Sequence, residues 1–375
     1  MHDRLSAAIE LVQSVRFSGD LGRPLSGGGS LESSRIHYQF NEKGLRLSAD
    51  MTPGIFGVLD NVCQRLKIES NNVLAYVYAS PEIQAGCFSA DTRDCLITFS
   101  SGLIKLMSDD ELAFVIGHEL GHFLLGHGTN IDSSDSSTEG MIQQRCKEIS
   151  ADRIGMLACS SKNAAFRSLI KTTAGLSEEY LRFDIRTYLD QIRRASSSTN
   201  FSMGESTHPS LVMRCRALLW FSMSKECVEF IGGSAGEPLS EVDKRLANDL
   251  KKFVDGPAHQ RISDAKNTLE IWLTAAAAIR DGSMSRKEQS LISETLGPDI
   301  LDKLMSLFSG CGRLEVEMIV REKLQEAIDY YQSIAPRDYD TERGKLAVAI
   351  GKRFSQNDFP QFISDFLSEI NSSAH

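Results

Sequence analysis

The sequence predicts an α+β chain: a mainly helical first part holding a small mixed sheet, followed by an all-α part. Three observations carry this prediction. VLAYVYA (73–79) and CLITF (95–99) are rich in β-branched and aromatic residues and bounded by turn formers, the pattern of short strands. DELAFVIGHELGHFLLGH (110–127) is a helical run that is apolar on most faces, which predicts a helix buried inside a domain. From about Ser240 the texture changes to successive amphipathic helices. At 375 residues the chain exceeds one ordinary domain of about 150 residues. Two domains are expected, 1–235 and 236–375.

Taken in order, MHDRLSAAIELVQSVRF opens the chain as an amphipathic helix. SGDLGRPLSGGGSLESS (18–34) is a Gly/Ser-rich loop. It is not a phosphate cradle, because Gly27 is followed by Gly28 and Gly29 where a P-loop needs Lys and then Ser or Thr. IHYQF (36–40) reads as a strand, and TPGIFGVLDNVCQRL (52–66) as a helix with Pro53 in its first turn. After the two strands already named, SDDE from Ser108 starts the apolar helix. It places acidic charge on the first turn and offers Glu111 as a capping-box partner. IDSSDSSTEG (131–140) is a polar loop, and CKEISADRIGMLAC (146–159) lies on the next helix. A second polar linker from Ser196 leads to HPSLVMRCRALLWF (208–221). SEVDKRLANDLKKF (240–253) spaces Val242, Leu246, Leu250 and Phe253 three or four apart, and Gly256-Pro257 ends that helix. Further helices are expected over 314–334 and near the C-terminus.

Composition excludes several classes. Apolar residues are 41% and charged residues 24%, as in soluble globular proteins. With 41 basic against 50 acidic side chains the net charge is −9, so no overall positive field draws the chain to nucleic acid or anionic lipid. The longest apolar stretch, IWLTAAAAI (271–279), stops at Arg280 and Asp281, far short of the roughly 18–20 residues of a membrane span. The N-terminus lacks the apolar stretch and cleavage site of a signal peptide, which points to the cytoplasm. Eight cysteines without CxxC pairs fit free thiols in a reducing compartment.

The chemistry lies in His118-Glu119-Leu120-Gly121-His122, an HExxH motif on a predicted helix. Histidines four apart advance about 400° and project from one face, so both imidazoles can reach one zinc ion. Glu119 lies beside them to take a proton from a water that zinc acidifies toward neutrality. A catalytic site needs a third protein ligand. His127 is five residues past His122, and on a continuing helix it would point about 140° away, as a surface or supporting histidine. Glu148 on the next helix is the better third ligand. Asp152, one turn later, is placed to hold the spare N–H of a ligating histidine. On spacing alone, Glu148 and Asp152 fit a solvated acidic face between Lys147 and Arg153 equally well. Cys146 reads as a buried structural cysteine or as a thiolate that silences the metal. The 131–140 loop reads as plain exposed chain or as a lid.

These residues carry a resemblance. HELGH, with Glu148 of EISAD 26 residues after His122, GLIKLMSDDELAFVI before it and THPSLVMRCRAL after it, resembles the HtpX-like, CAAX-prenyl-protease and mitochondrial-inner-membrane-protease family of gluzincin zinc metallopeptidases. The match spans roughly Val73 to Leu219. It implies a zincin-like catalytic domain and one Zn2+ per chain on His118, His122 and Glu148. It further implies Glu119 as general base, Asp152 as support, His208 near the metal as a transition-state contact or as a removable ligand in a latent state, and Arg214 organising the site electrostatically. Three departures stand out. The chain lacks the membrane helices of many relatives, Ser210 replaces the usual second proline after His-Pro, and Gln84 and Cys87 replace familiar types in the segment bordering the cleft. A peptide would lie extended against that edge. In the C-terminal part, AIRDGSMSRKEQSLI resembles the turn of TerB-like helical domains, with Ser285 and Glu288 forming a capping box.

The expectation is a soluble zinc metalloendopeptidase acting on soluble or unfolded proteins, with a helical accessory domain that binds a protein partner. The alternative is a latent peptidase that acts as a zinc-containing protein-binding or chaperone-like module.

Overall fold

Strands β1 (Gly44–Arg46), β2 (Val73–Tyr78), β3 (Ala85–Ser89) and β4 (Cys95–Ser100) form one mixed sheet in the order β1-β2-β4-β3. β2 runs antiparallel to β1 and parallel to β4, and β3 returns antiparallel to β4. All six residues of β4 are buried, which is why CLITF is a continuous apolar run and not an alternating one. The computed structural model describes residues 2–22, 40–89, 95–127, 135–182, 184, 186–188, 190, 210–281 and 283–365. The chain separates into two compact units, Met1–Asp135 with Gly140–Gly256, and Ser136–Glu139 with Pro257–His375.

In the first unit α1 (His2–Val15) and α2 (Pro53–Arg65) precede the sheet strands β2 to β4, and Pro53 sits in the first turn of α2 as expected. β4 passes into α3 (Ser101–Leu106) without a loop: Ser100 ends the strand and caps the helix, accepting from the Leu103 N–H at 3.2 Å. Then come α4 (Asp109–Leu124), α5 (Thr138–Ala158), α6 (Lys162–Ala174), α7 (Leu211–Phe221), α8 (Lys225–Phe230) and α9 (Leu239–Phe253). α4 is buried along most of its length, packing Leu112, Phe114, Ile116, Leu120 and Leu124 with Val62 of α2, Ile97 and Phe99 of β4 and Phe166 of α6. At its start the Ser108 N–H donates to Glu111 Oε2 at 2.9 Å.

The second unit contains α10 (Gly256–Ala278), α11 (Arg286–Leu296), α12 (Pro298–Phe308), α13 (Arg313–Ile334) and α14 (Pro336–Arg353) around Leu273, Ile292, Leu324, Tyr331 and Ile350. The Ser285–Glu288 capping box is present, with N–H donation at 3.3 Å to Ser285 Oγ and 2.7 Å to Glu288 Oε2. No helix among the described residues is long and apolar enough to cross a membrane.

The structure departs from the sequence reading in three places. α4 stops at Leu124, before the expected 127, for a reason given below. Of the expected strand 36–40, only Phe40 lies within the described residues, and it is helical. The division between units falls at Gly256 instead of 235/236, so α9 stays with the first unit. Leu246, Leu250 and Val254 pack there with Phe17, Met213 and Ala217, and Asp243 pairs with Arg153 at 2.6 Å. An amphipathic pattern announces a helix but not the body that receives its apolar face; the Phe253 side chain lies outside the described set.

Candidate metal centre

α4 and α5 approach each other over a seam of glycines. A Cβ on Gly121 would lie 2.9 Å from Ile154 Cδ1 and 3.2 Å from Ala151 Cα; one on Gly117 would collide with the Ala158 methyl. A Cβ on Gly155 of α5 would lie 2.8 Å from the Phe114 carbonyl oxygen. This close packing brings side chains from both helices to one point.

That point is occupied by three donors. His118 Nε2 and His122 Nε2 face each other at 3.0 Å, and Glu148 offers Oε2 at 3.6 Å from the first and Oε1 at 3.3 Å from the second. Their ligand atoms all lie within 4.8 Å of one another, the one such group of three among the described residues. Two imidazole nitrogens and a carboxylate are the donor set of a gluzincin-type zinc site. Burial opposes charge on His122, yet the hydrogen bond to Glu148 and the negative charges of Glu148, Glu119 and Asp152 together raise its pKa.

His118 Nδ1 is 3.0 Å from Asp152 Oδ1. Arg214 grips the same carboxylate with both arms, Nε to Oδ2 at 2.8 Å and a terminal nitrogen to Oδ1 at 2.5 Å, and lies 3.7 Å from Glu148. Burial pushes the Asp152 carboxyl up, but the Arg214 guanidinium and the His118 ring together offset this and hold it below its usual value. Ser210 caps α7, accepting from Met213 N–H at 3.3 Å. The residue that departs from His-Pro-Pro thus starts the helix that presents Arg214 one turn later.

The cluster opens on a cleft of about 640 Å³ lined by Glu119, Ile83, Gln84 and Ala85, Thr172 and Leu211 among others. The sequence stretch singled out as the cleft border is therefore there, at the start of edge strand β3. His208 lies outside the described residues, as do residues 131–134 of the 131–140 loop, whose last three residues, Thr138 to Gly140, already belong to α5. Cys146 is buried beside Phe17 and Ile149, and burial raises its thiol pKa, so it packs as a structural cysteine.

His127 proves to be a supporting histidine and not a surface one, although not on a continuing helix as the sequence suggests. α4 ends in a Schellman turn: Gly126, at φ 70°, donates to the Phe123 carbonyl at 3.0 Å and His127 N–H to the His122 carbonyl at 2.9 Å. The turn reverses the chain and returns the His127 ring to His122, with Nδ1 to Nδ1 at 2.8 Å. His127 Nε2 is 3.0 Å from Asp20 Oδ2, and both side chains are buried. Burial holds His127 down to about 4, while Asp20, despite its own burial, is brought to about 2 by the combined hydrogen bond and charge of His127 and by bonds from Ser150 and Gly22. The signal was Gly126, the residue that stops a helix.

Comparison with known proteins agrees with the geometry. Residues 55–139 match the profile of Peptidase family M48, a span that includes HExxH and stops before Glu148. A plastoglobule-localized metallopeptidase 48 of Arabidopsis thaliana is 26% identical over 244 residues, 58% of this chain and 70% of its own length. Protease HtpX of Xylella fastidiosa strain M12 is 42% identical over 50 residues, 13% of this chain. An HtpX homolog of Streptococcus uberis is 25% identical over 123 residues. The chain spans 17% and 40% of those two bacterial relatives. No solved structure matches. These matches bear out the resemblance to HtpX-like metallopeptidases that the motifs carry.

Proposed function

We propose that the chain is a zinc metalloendopeptidase in which His118, His122 and Glu148 hold one zinc ion and Glu119 is the general base. The observation that carries this is the convergence of two imidazole nitrogens and one carboxylate from α4 and α5, beside Glu119, at the wall of an open cleft. Zinc bound there would acidify an attacking water and polarise the scissile carbonyl. Glu119 takes the proton from that water and returns it to the leaving amine. Asp152 keeps His118 oriented, and Arg214 keeps Asp152 ionised and in place. We assign His208 a contact to the developing charge, on the strength of the His-Pro motif.

β3 ends the sheet order, with Gln84 and Ala85 on the cleft wall. A substrate strand pairing with that edge would lie extended across Glu119 and the metal donors. Such recognition reads backbone more than side chain and suits soluble or unfolded protein. We assign residues 1–256 the peptidase and the remaining helical, TerB-like unit the capture of a protein partner. Eight free cysteines accord with a reducing compartment, which we take to be the cytoplasm.

The test is cleavage of a chemically unfolded protein by the full chain, with and without a chelator. Glu119→Gln is expected to abolish cleavage while zinc content stays at one per chain, and His122→Ala to lose both. Full activity in Glu119→Gln would overturn the mechanism.

A further inference from the structure

The two histidines at the metal centre are supported in different ways. His118 rests directly on the carboxylate of Asp152 at 3.0 Å. His122 rests on another imidazole, His127, which in turn rests on the carboxylate of Asp20. Asp20 lies 107 residues before His127, in a segment with no motif.

The protons in this second arrangement have one consistent assignment. For His122 to offer Nε2 as a ligand beside His118 and Glu148, its proton must be on Nδ1. His122 Nδ1 then donates, so His127 Nδ1 must accept, and the His127 proton must be on Nε2, pointing at Asp20 Oδ2. Every ring nitrogen is satisfied with both imidazoles neutral, and the chain of donors ends on a carboxylate.

Asp20 is itself held in place. Its second oxygen accepts from the Gly22 N–H at 2.9 Å. The segment around it is tied to α5, the helix of Glu148: Phe17 N–H donates to Ser150 Oγ at 3.1 Å and Leu21 N–H to Gln143 Oε1 at 3.1 Å. Ser18 N–H donates to Asp243 Oδ2 at 2.8 Å. The side chains of His127 and Asp20 are only 3% and 0% exposed, so water does not compete for these bonds.

We propose that Asp20 and His127 are positioning residues, forming a relay that fixes His122 as its Nδ1–H tautomer with Nε2 turned to the metal. The segment after α1 is thereby part of the metal site. This rests on the reading of His118, His122 and Glu148 as zinc ligands. Supports of this kind typically change metal affinity by about 10- to 100-fold when removed.

The experiment measures zinc affinity of the full chain by competition with a chromogenic chelator, alongside the melting temperature of each chelator-stripped variant. His127→Leu and Asp20→Ala are each expected to bind zinc about 10- to 100-fold more weakly. His127→Asn, whose side-chain carbonyl can accept near the original Nδ1 position, should recover most of the loss. In the double variant Asp20→Ala should add little to His127→Leu, because the two act through one chain of bonds. Affinity within about threefold of wild type in both single variants would overturn the relay, as would losses that add in full in the double variant. Should His127→Leu not fold, 15N-histidine NMR of the zinc-loaded wild type decides: His127 protonated at Nε2 supports the relay, and protonation at Nδ1 overturns it. Zinc binding without proteolysis would refute the peptidase reading alone. Proteolysis with a zinc affinity indifferent to His127 and Asp20 would refute the relay alone.

Discussion

In the first unit Glu111, Arg145, Arg153 and Asp152 are all within 1% of complete burial, as is Lys171, whereas no charged side chain is buried among the described residues of the second unit. There the ion pairs lie on helix surfaces, as between Arg313 and Glu317, 62% and 40% exposed. The buried charges of the first unit have a pattern. Arg153 of α5 reaches Asp243 of α9, Lys171 and Arg167 of α6 reach Glu111 of α4, and Arg214 of α7 reaches Asp152 of α5. Each pair joins a helix that carries a metal-site donor to a neighbour. Apolar contacts are tolerant of sliding, but a buried charge is held where its partners are, because leaving them uncompensates it. The unit that must hold donor atoms to within a few tenths of an ångström uses such pins, and the other relies on an apolar core.

The largest effect should follow from withdrawing a pin. Arg153→Met leaves Asp243 without its buried partner and removes a guanidinium packed on the rings of Phe17 and Phe221. A loss of about 3–5 kcal/mol in urea unfolding is expected. Gly121→Val fills the seam between α4 and α5 and should cost about 1–3 kcal/mol while also weakening zinc binding, because the helices must separate. A third test uses pH. Burial pushes the Glu111 carboxyl up, but its bonds to Lys171, Ser108 and Arg167 prevail and hold it below the ordinary value of 4.5. Its contribution is therefore present above pH 4.5 and lost as pH falls through the lowered value. Urea midpoints followed downward from pH 6 should drop more steeply below 4.5 for wild type than for Glu111→Gln. The smallest effect belongs to the second unit: Arg313→Ala should shift stability by no more than about 0.5 kcal/mol. A larger loss there would show that surface pairs also pin.

Much of the site was legible because its spacing is local. His118 and His122 share a face by helix geometry alone, and α4 presents them so. Glu148, Asp152 and Arg214 lie farther along the chain; spacing left the first two open to a bland reading, and family resemblance brought all three forward. His127 was misplaced by extending α4 through Gly126, although a glycine after the last apolar turn is a stop signal. Asp20 was illegible: nothing local distinguishes it, and its role exists only once α5 and the segment after α1 are packed. The same limit moved the unit boundary, since the apolar stripe of Val242, Leu246 and Leu250 is visible in sequence but its partners are not.

The position of β4 has a consequence for how the chain is made. It is the last of the four strands in sequence yet lies between β2 and β3. During synthesis β2 emerges with β1 as its strand partner and β3 with none, and the edges that β4 will join bond to water until that strand follows. α3 follows at once and α4 begins at Asp109, so the sheet closes just as the histidine helix arrives to cover it. The order of translation thus leaves a short interval in which an apolar sheet lies bare, and the helix that bears the metal donors is what ends it.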